Sequence, residues 1–172
     1  MKATGVVRRI DDLGRIVIPK EIRRNLKINE GDSVEIFVDN SGIILKKYSL
    51  LSDMVEMAIK LVDIVYKIYS KSIIITDKER VIASSKDLTQ EYQNHELTSS
   101  IKNRIESRCE YFEQDSSILI MDGKSISSYF LIPILVNSDS LGSVILIDDD
   151  INEDSKTLIQ FITSILVKNI EG

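Results

Sequence analysis

The order of apolar and polar residues predicts short strands around one short helix in the first part of the chain. Residues 4–10 and 15–18 are rich in β-branched and apolar side chains, and the polar segment DDLG separates them. This pattern predicts two strands joined by a loop, with Gly14 where the backbone needs positive φ. Pro19 then begins a helix that runs to about Leu26, because the missing N–H of proline costs nothing in the first turn.

A β-hairpin is predicted after this helix. Val34, Ile36 and Val38 alternate with other residues, a turn falls at 40–42, and a return strand covers 43–47. The N-terminal domain so defined comprises residues 1–48, which are too few to bury a sufficient core without disulfides or metal. We therefore expect this domain to fold together with a partner chain.

Apolar stripes and alternating segments characterise the second domain, residues 49–172. They predict helices over 50–70, 95–108 and 153–170, and strands over 72–77, 80–85, 117–121, 129–136 and 141–147. In the first helix a heptad seam is formed by Leu51, Met54, Ala58, Leu61, Val65 and Ile68. An antiparallel sheet flanked by helices is an α+β arrangement, and the seam favours a helix bundle. Pro133 favours an edge strand or a bulge.

Charge is distributed unevenly between the two domains. Residues 1–27 contain eight Lys and Arg side chains against three carboxylates, a net charge of +5, whereas the full chain of 172 residues has a net charge of −5. A basic patch followed by an acidic remainder is typical of a nucleic-acid-binding module joined to a domain that does not bind nucleic acid. Arginine suits this role because its planar fork binds phosphate or a guanine edge with two hydrogen bonds.

The N-terminal residues also resemble a known family. The stretch TGVVRRIDDLGRIVIPKEIRRNLKINEGDSVEIFVDNSGIILKKYS, with LGR, IVIPKEIRR, EGD, EIF and ILKK in order, resembles the swapped-hairpin DNA-binding domain of the AbrB family. The resemblance implies that two chains interleave their hairpins into one obligate dimeric β-barrel, so that folding and dimerisation are one event. It implies double-stranded DNA as the partner, with the main contacts from Arg8, Arg15, Arg23 and Arg24. Arg9 and Lys2 are implied as secondary contacts.

The second domain resembles a GAF-type sensor domain in its order of helices and strands. Together the two resemblances imply a sequence-preferring transcription regulator of spore-forming bacteria that activates and represses late developmental genes. No sequence feature names a ligand for the sensor domain, so a small-molecule effector is unidentified and no cofactor is expected. We expect the apolar helices over 50–70 and 153–170 to pack across chains and to join dimers into a homotetramer.

Two other classes of protein share some of these features. Antitoxins of the related swapped-hairpin type bind a toxin through a short, acidic tail that is disordered when free, whereas residues 49–172 predict strands and helices. A small-molecule-binding protein without a DNA target would not need the basic N-terminal cluster. Enzymatic activity is not expected, because one histidine and one cysteine leave few ways to build a nucleophile with its base, and no Walker, GxGxxG or NKFDE-type motif occurs.

The acidic run near residue 150, the one cysteine and the one histidine do not require metal or redox chemistry for their interpretation. The acidic run 148–150, with Glu153 and Asp154, has the composition of a magnesium site, but a loop followed by a helix N-cap is favoured. Cys109 is interpreted as a small buried residue, and His95 as an exposed residue near the start of a helix. No metal site is expected. Because no membrane segment is expected, a single cysteine fits a reduced cytosol and DNA is the implied partner, we interpret the protein as cytoplasmic and nucleoid-associated.

Overall fold

The chain forms two compact units, Met1–Tyr48 and Ser49–Gly172. The structure is a computed structural model that describes residues 5–40, 42–48, 51, 54–88, 92, 94–114, 118–121, 123–126 and 128–171. Within these described ranges, no helix is both long and apolar enough to cross a lipid bilayer.

The N-terminal unit contains one short helix and one hairpin. Helix α1 (Lys20–Asn25) follows Pro19, which occupies its N-cap position. Strands β1 (Val34–Asp39) and β2 (Gly42–Lys47) pair antiparallel along their whole length. The predicted helix and hairpin are confirmed, because proline and the turn residues set their ends.

The strands predicted over 4–10 and 15–18 do not form among the described residues 5–18, so this prediction was wrong. A strand needs a neighbour along its length to bond its N–H and C=O groups. The loop between the two segments has one strand-like hydrogen bond, from Asp11 N to Arg15 O, and neither segment belongs to a sheet among the described residues. The loop between them does form, with Gly14 at φ +77° as predicted.

Apolar side chains of the N-terminal unit lie mostly on its surface. Among the described residues of this unit, Ile28 is the one buried apolar residue. Half or more of the residue surface is exposed at Val7, Ile10, Leu13, Ile16, Val17, Leu26, Ile36, Val38 and Ile43. One copy of this unit therefore leaves the apolar side chains of its hairpin uncovered, which is not expected of a stable monomer of this size.

The C-terminal unit is built on a five-stranded antiparallel sheet. Its elements in chain order are α2 (Val55–Tyr69), β3 (Ser72–Asp77), β4 (Val81–Ser84), α3 (Ser99–Glu106), β5 (Tyr111–Glu113), β6 (Ile118–Met121), β7 (Lys124–Ile126), β8 (Tyr129–Val136), β9 (Asp139–Ile147) and α4 (Glu153–Glu171). The strand order in the sheet is β4-β3-β9-β8-β5, and β6 and β7 form a separate hairpin.

Helices cover both faces of this sheet. Helices α2 and α4 pack on one face, and α3 packs on the other. Strand β3 shows the division, since Ile73 and Ile75 belong to the core beneath α2 and α4, whereas Ile74 belongs to the core beneath α3. Successive side chains of a strand point to opposite faces, so a sheet covered on both faces requires such a continuous apolar run. The predicted α+β arrangement is confirmed.

Gly142 and Pro133 occupy irregular positions in β9 and β8. A Cβ atom at Gly142 would lie 1.9 Å from the backbone oxygen of Thr76, so the approach of β9 to β3 requires glycine there. Among the described residues, β5 pairs with only the first three residues of β8, which leaves a local edge at Pro133, and the register shifts just after it, between residues 134 and 135. The prediction of an edge or bulge is confirmed, because proline has no N–H to donate.

Three features of the C-terminal unit differ from the sequence prediction. The helix predicted over 95–108 begins at Ser99, because the backbone oxygen of His95 instead accepts a hydrogen bond from Val81 N, although His95 is exposed as predicted. Strands β5 and β7 escape prediction, since three residues are too few for a periodic signal. Cys109 is exposed rather than buried, because it follows the turn after α3, where Arg108 has φ +60°.

The heptad seam of α2 serves its own unit. Ala58 and Val65 are buried in the core beneath α2 and α4, and Leu51 belongs to the same core. Ile68, at the end of the seam, is 67% exposed. Most of the seam therefore packs on the sheet of the same chain, contrary to the expectation that it faces a partner, because a sheet-facing helix stripe has nearly the same spacing as a heptad.

Candidate nucleic-acid interface

The loop before α1 is organised by the carboxylate of Asp11. Its Oδ1 accepts hydrogen bonds from the backbone N–H of Leu13 at 3.1 Å and of Arg15 at 2.7 Å. The backbone oxygen of Asp11 accepts a further bond from Gly14 N at 3.0 Å. Aspartate is favoured at such turns because its short side chain can bond backbone groups a few residues ahead. Four residues of loop are thereby held in one conformation.

The same carboxylate also holds the side chain of Arg15. Asp11 Oδ2 accepts a hydrogen bond from Arg15 Nε at 2.8 Å, while the Arg15 side chain stays 71% exposed. The backbone N–H of Arg15, and after it the Arg15 side chain, lower the pKa of Asp11 below its ordinary value. Asp11 is therefore ionised at neutral pH. Because Asp11 binds Nε, the Nη1 and Nη2 groups at the outer edge of the guanidinium point to solvent in a defined direction.

Arg8 and Arg9 lie on the exposed, extended segment before this loop. Arg8 Nη1 donates a hydrogen bond to the backbone oxygen of Val7 at 2.9 Å. Among the described residues, neither Arg8 nor Arg9 forms an ion pair with a carboxylate, so both charges are available to a ligand. Among the described residues, this segment is not part of a strand.

Arg23 and Arg24 are adjacent residues of α1 and point about 100° apart around the helix. Arg23 is half-buried and Arg24 is exposed. The end of the helix is closed by hydrogen bonds from Leu26 N to Ile22 O at 2.9 Å and from Ile28 N to Arg23 O at 2.8 Å. Since Ile28 is buried, these hydrogen bonds anchor the short helix to the rest of the unit and fix the backbone that carries both arginines.

The five described arginines predicted to bind DNA therefore lie in one small unit, on three successive segments. Lys2, the sixth predicted contact, lies outside the described residues. The role of Asp11 was missed in the sequence, although an aspartate four residues before Arg15 in DDLGR is the signal that points to it. An acidic residue inside a basic surface acts here as a support for one arginine.

The acidic run after β9 has a different role from the arginine-rich unit. Asp148 pairs with Lys71, and its partial burial raises its pKa, but the hydrogen bond from Lys71 and the N–H of Asp150 outweigh burial and lower the pKa overall. Asn152, rather than the acidic run, caps α4 by accepting a hydrogen bond from Ser155 N at 3.0 Å. Among the described residues, no group of three His, Cys, Asp or Glu side chains is placed to hold a metal.

Two family models together match most of the chain. The model for the C-terminal part of stage V sporulation protein T, a transcription factor, matches residues 53–171. The model for antidote-toxin recognition MazE, a bacterial antitoxin, matches residues 7–51. The boundary between the two matches falls close to the boundary between the two structural units.

Two proteins of Bacillus subtilis (strain 168) are similar in sequence. Stage V sporulation protein T is 42% identical over 154 residues, which span 87% of this chain and 86% of that protein. Transition state regulatory protein AbrB is 62% identical over 48 residues, which span 28% of this chain and 50% of that protein. The second similarity is stronger per residue and covers a segment of the length of the N-terminal unit.

A solved structure matches the fold over most of the chain. The cofactor-binding GAF domain of the nutrient sensor CodY from Clostridium difficile is 12% identical, with a TM-score of 0.52, and the match covers 70% of this chain and 92% of that domain. At this identity the likeness shows the GAF fold and nothing about ligands. The match to the C-terminal family model over more than half of the chain, with the nearly full-length 42% identity, shows that the chain belongs to the stage V sporulation protein T family.

Proposed function

We propose that the protein is a sequence-preferring, DNA-binding transcription regulator of sporulation. The observation that carries this proposal is the N-terminal unit, in which five exposed or half-exposed arginines lie on the segments before, within and after a loop stiffened by Asp11. The 62% identity of a 48-residue stretch to a transition state regulatory protein supports it. The family of the whole chain, a transcription factor family concerned with sporulation, supports it independently.

Double-stranded DNA is the proposed partner of the arginines. Arg15, held at Nε by Asp11, presents its outer edge to a base or a phosphate with little side-chain freedom left to lose. Arg23 and Arg24 diverge around α1, so that one of them reaches into a groove while the other binds the backbone. Arg8, Arg9 and Lys2 add phosphate contacts, and sequence preference comes from a few base contacts together with DNA shape.

A homodimer is the proposed DNA-binding state of the N-terminal unit. The exposed apolar side chains Ile36, Val38 and Ile43 of the hairpin, with Ile16 and Val17 before α1, need a cover that a second copy supplies. The segments 5–10 and 15–18, which are not strands in the single chain, would pair in an intertwined swapped-hairpin barrel. In that arrangement dimerisation and folding of this unit are one event.

A homotetramer through the C-terminal helices is the proposed full assembly. Ile64, Ile68 and Tyr69 of α2 and Phe161 of α4 are each at least 50% exposed, and none of them is needed in the core of the unit. Pairing of such faces would join two DNA-binding dimers and raise the apparent affinity through effective concentration. A regulator with two DNA-binding dimers suits both activation and repression of late developmental genes.

The match to an antitoxin family favours the swapped-hairpin class for residues 7–51 and does not by itself favour toxin binding. An antitoxin needs a tail that is free to wrap its toxin. Here the residues that follow form a folded unit with buried cores on both faces of a sheet. DNA regulation by a two-domain protein is therefore the proposal, with a non-enzymatic role and a nucleoid-associated, cytoplasmic location.

A genome-wide footprint of the bound protein tests this proposal. Cells would be compared during growth and during sporulation, with the Arg23→Ala/Arg24→Ala protein as the matched control at equal abundance. We expect discrete sites upstream of late developmental genes, and their loss in the control. A uniform signal, or the same sites with the variant, would overturn the proposal.

A further inference from the structure

A cationic side chain lies between two aromatic rings on the α3 side of the sheet. The guanidinium carbon of Arg104 in α3 lies 5.2 Å from the ring centroid of Tyr111 and 5.3 Å from that of Tyr129. Arg104 Nη2 donates a hydrogen bond to the carboxylate of Glu113. Strands β5 and β8 bring these groups together, because Glu113 is paired with Tyr129 across the sheet and Tyr111 with Leu131. The side chain of Arg104 is thereby held against the sheet.

Two polar atoms of this cluster are buried without a hydrogen-bond partner among the described residues, Arg104 Nη1 and Tyr129 Oη. Tyr129 is completely buried, and the side chain of Arg104 is 17% exposed. Leaving a buried donor unsatisfied is costly, so folded proteins do so rarely and usually for a reason. The two atoms belong to side chains that contact each other, since the Arg104 guanidinium carbon lies 5.3 Å from the Tyr129 ring centroid, and a ligand with acceptor atoms would satisfy both.

We propose that Arg104 and Tyr129 form a binding site for a short aliphatic carboxylate. Arg104 Nη1 offers two N–H groups and Tyr129 offers one O–H, and a carboxylate is a pure acceptor with room for all three. The surrounding core beneath α3 is apolar and mostly aliphatic, with Ile101, Leu131 and Ile145 completely buried in it beside two tyrosines, which suits an aliphatic tail. This proposal names a ligand class for the sensor role that the GAF resemblance implies for the second domain. The binding site itself does not depend on that role, and only a regulatory effect of binding would rest on it.

The charge of the cluster favours a ligand with one negative charge over a ligand with two or more. Glu113 already balances the guanidinium through Nη2, so one further carboxylate leaves the site with a net charge of −1. A phosphate or a nucleotide would bring two or more charges into a place that has only one cation, which burial disfavours strongly. The two tyrosine faces stabilise the guanidinium but contribute no charge.

Direct binding to the full-length protein tests the proposal. The probe is hexanoate, and hexanol and hexanamide serve as controls with the same tail and no charge. Binding is followed through the isoleucine methyl resonances of the protein, among which Ile101 and Ile145 report on the core beneath α3. We expect saturable shifts of these two with hexanoate and none with the neutral controls. Equal shifts with all three probes, or no saturable shift with hexanoate, would overturn the proposal.

Variants separate the site from the fold. Arg104→Met should weaken hexanoate binding roughly tenfold or more, because it removes a charged hydrogen bond. Arg108→Met, which changes a 54% exposed arginine just after α3, is the matched control and should bind as the wild type does. Hexanoate affinity that survives Arg104→Met contradicts the assignment.

Tyr129→Phe decides the case even where Arg104→Met folds poorly. It removes a hydroxyl that has no partner among the described residues, so the melting temperature without ligand should stay equal or rise, while hexanoate affinity falls several-fold. A clear fall in melting temperature would show that the hydroxyl is already bonded within the fold, and the site would be rejected. DNA binding of this variant without hexanoate should be unchanged, so failure of the carboxylate site is distinguishable from failure of the proposed DNA-binding role.

Discussion

The carboxylate of Asp11 binds both the backbone and the side chain of Arg15. Its two oxygens accept hydrogen bonds from Arg15 N at 2.7 Å and from Arg15 Nε at 2.8 Å. One acidic residue thus sets the loop conformation and the direction of the guanidinium together. Pre-organisation of this kind lowers the entropy that is lost on binding, and the energy gained depends on whether the target offers an acceptor in that direction.

We expect Asp11→Asn to reduce discrimination between DNA sequences. The asparagine keeps an oxygen for the backbone N–H groups but loses the charged bond to Arg15 Nε, so the guanidinium becomes free to bind any phosphate. Removal of a negative charge should preserve or raise affinity for random DNA, while the ratio of specific to random affinity should fall several-fold. Fluorescence anisotropy with a footprinted site and a scrambled duplex measures this ratio. Asp12→Asn is the matched control, and an unchanged ratio in Asp11→Asn would contradict the role of Asp11.

The double variant Arg23→Ala/Arg24→Ala should lose DNA binding without loss of fold. Both residues lie on α1 and make no ion pair with a described carboxylate, so the circular dichroism spectrum and the assembly mass should not change. Two phosphate or base contacts per chain are removed, which should abolish the gel shift. Lys60→Ala/Lys67→Ala, on the exposed side of α2 in the other unit, is the control and should bind normally. Undiminished binding by the arginine variant would refute the assigned contacts.

Affinity for DNA should fall steeply with salt. Several arginines per chain are doubled in a dimer, and each phosphate contact releases condensed counterions. The slope of log affinity against log salt should reflect on the order of 6 to 10 phosphate contacts per assembly. Titrations between low and physiological salt measure the slope. A nearly flat dependence would mean that DNA is not the main ligand.

The C-terminal unit should convert dimers into tetramers. A chain that ends after Tyr48 should sediment as a dimer and bind DNA more weakly, whereas the full chain should sediment as a tetramer. Ile68→Glu/Phe161→Glu places charges at exposed apolar positions of α2 and of α4 and should return the full chain to a dimer. Lys67→Glu, the adjacent exposed position, should leave the tetramer intact. Ultracentrifugation that shows one dimeric state for every protein would refute this assembly.

The pair between Lys71 and Asp148 should contribute stability that acid removes. Burial raises the pKa of Asp148, and the bonds from Lys71 and the Asp150 N–H overcome this and lower it, so the folded protein binds a proton less readily than the unfolded chain. The contribution is therefore present above the unfolded pKa of about 3.9 and is lost as pH falls through the lower folded pKa. Both side chains are at most 25% exposed, so Asp148→Asn should cost about 1–2 kcal/mol at pH 7.

Urea unfolding at fixed protein concentration measures this difference across pH. The gap between the wild type and Asp148→Asn should close below about pH 4. Asp139→Asn alters the exposed pair with Arg108, whose Nη2 lies 3.7 Å from Asp139 Oδ1, and should change the free energy of unfolding by less than about 0.5 kcal/mol at any pH. A gap that persists in acid would exclude the ion pair as the cause.

Local sequence determined much of the architecture. Alternating residues predict the strand β1 of the hairpin, and short apolar runs bounded by polar residues predict the strands β3, β8 and β9, because both patterns depend only on neighbouring residues. Pro19 and Gly14 mark the start of α1 and the loop before it for equally local reasons. The arginines that carry the proposed function can also be identified in the sequence, because the charge of a side chain follows from its residue type alone.

Tertiary structure decided which of these residues act together. The apolar stripe of α2 has the same spacing whether it faces a sheet or another helix, so only the packed chain shows that Ala58 and Val65 face their own sheet and Ile68 faces outward. Arg104 meets Tyr129 only because α3 packs on the face of the sheet that contains β8, a contact that no local pattern encodes. Periodicity records which face of an element is apolar, whereas strand order and packing decide what that face meets.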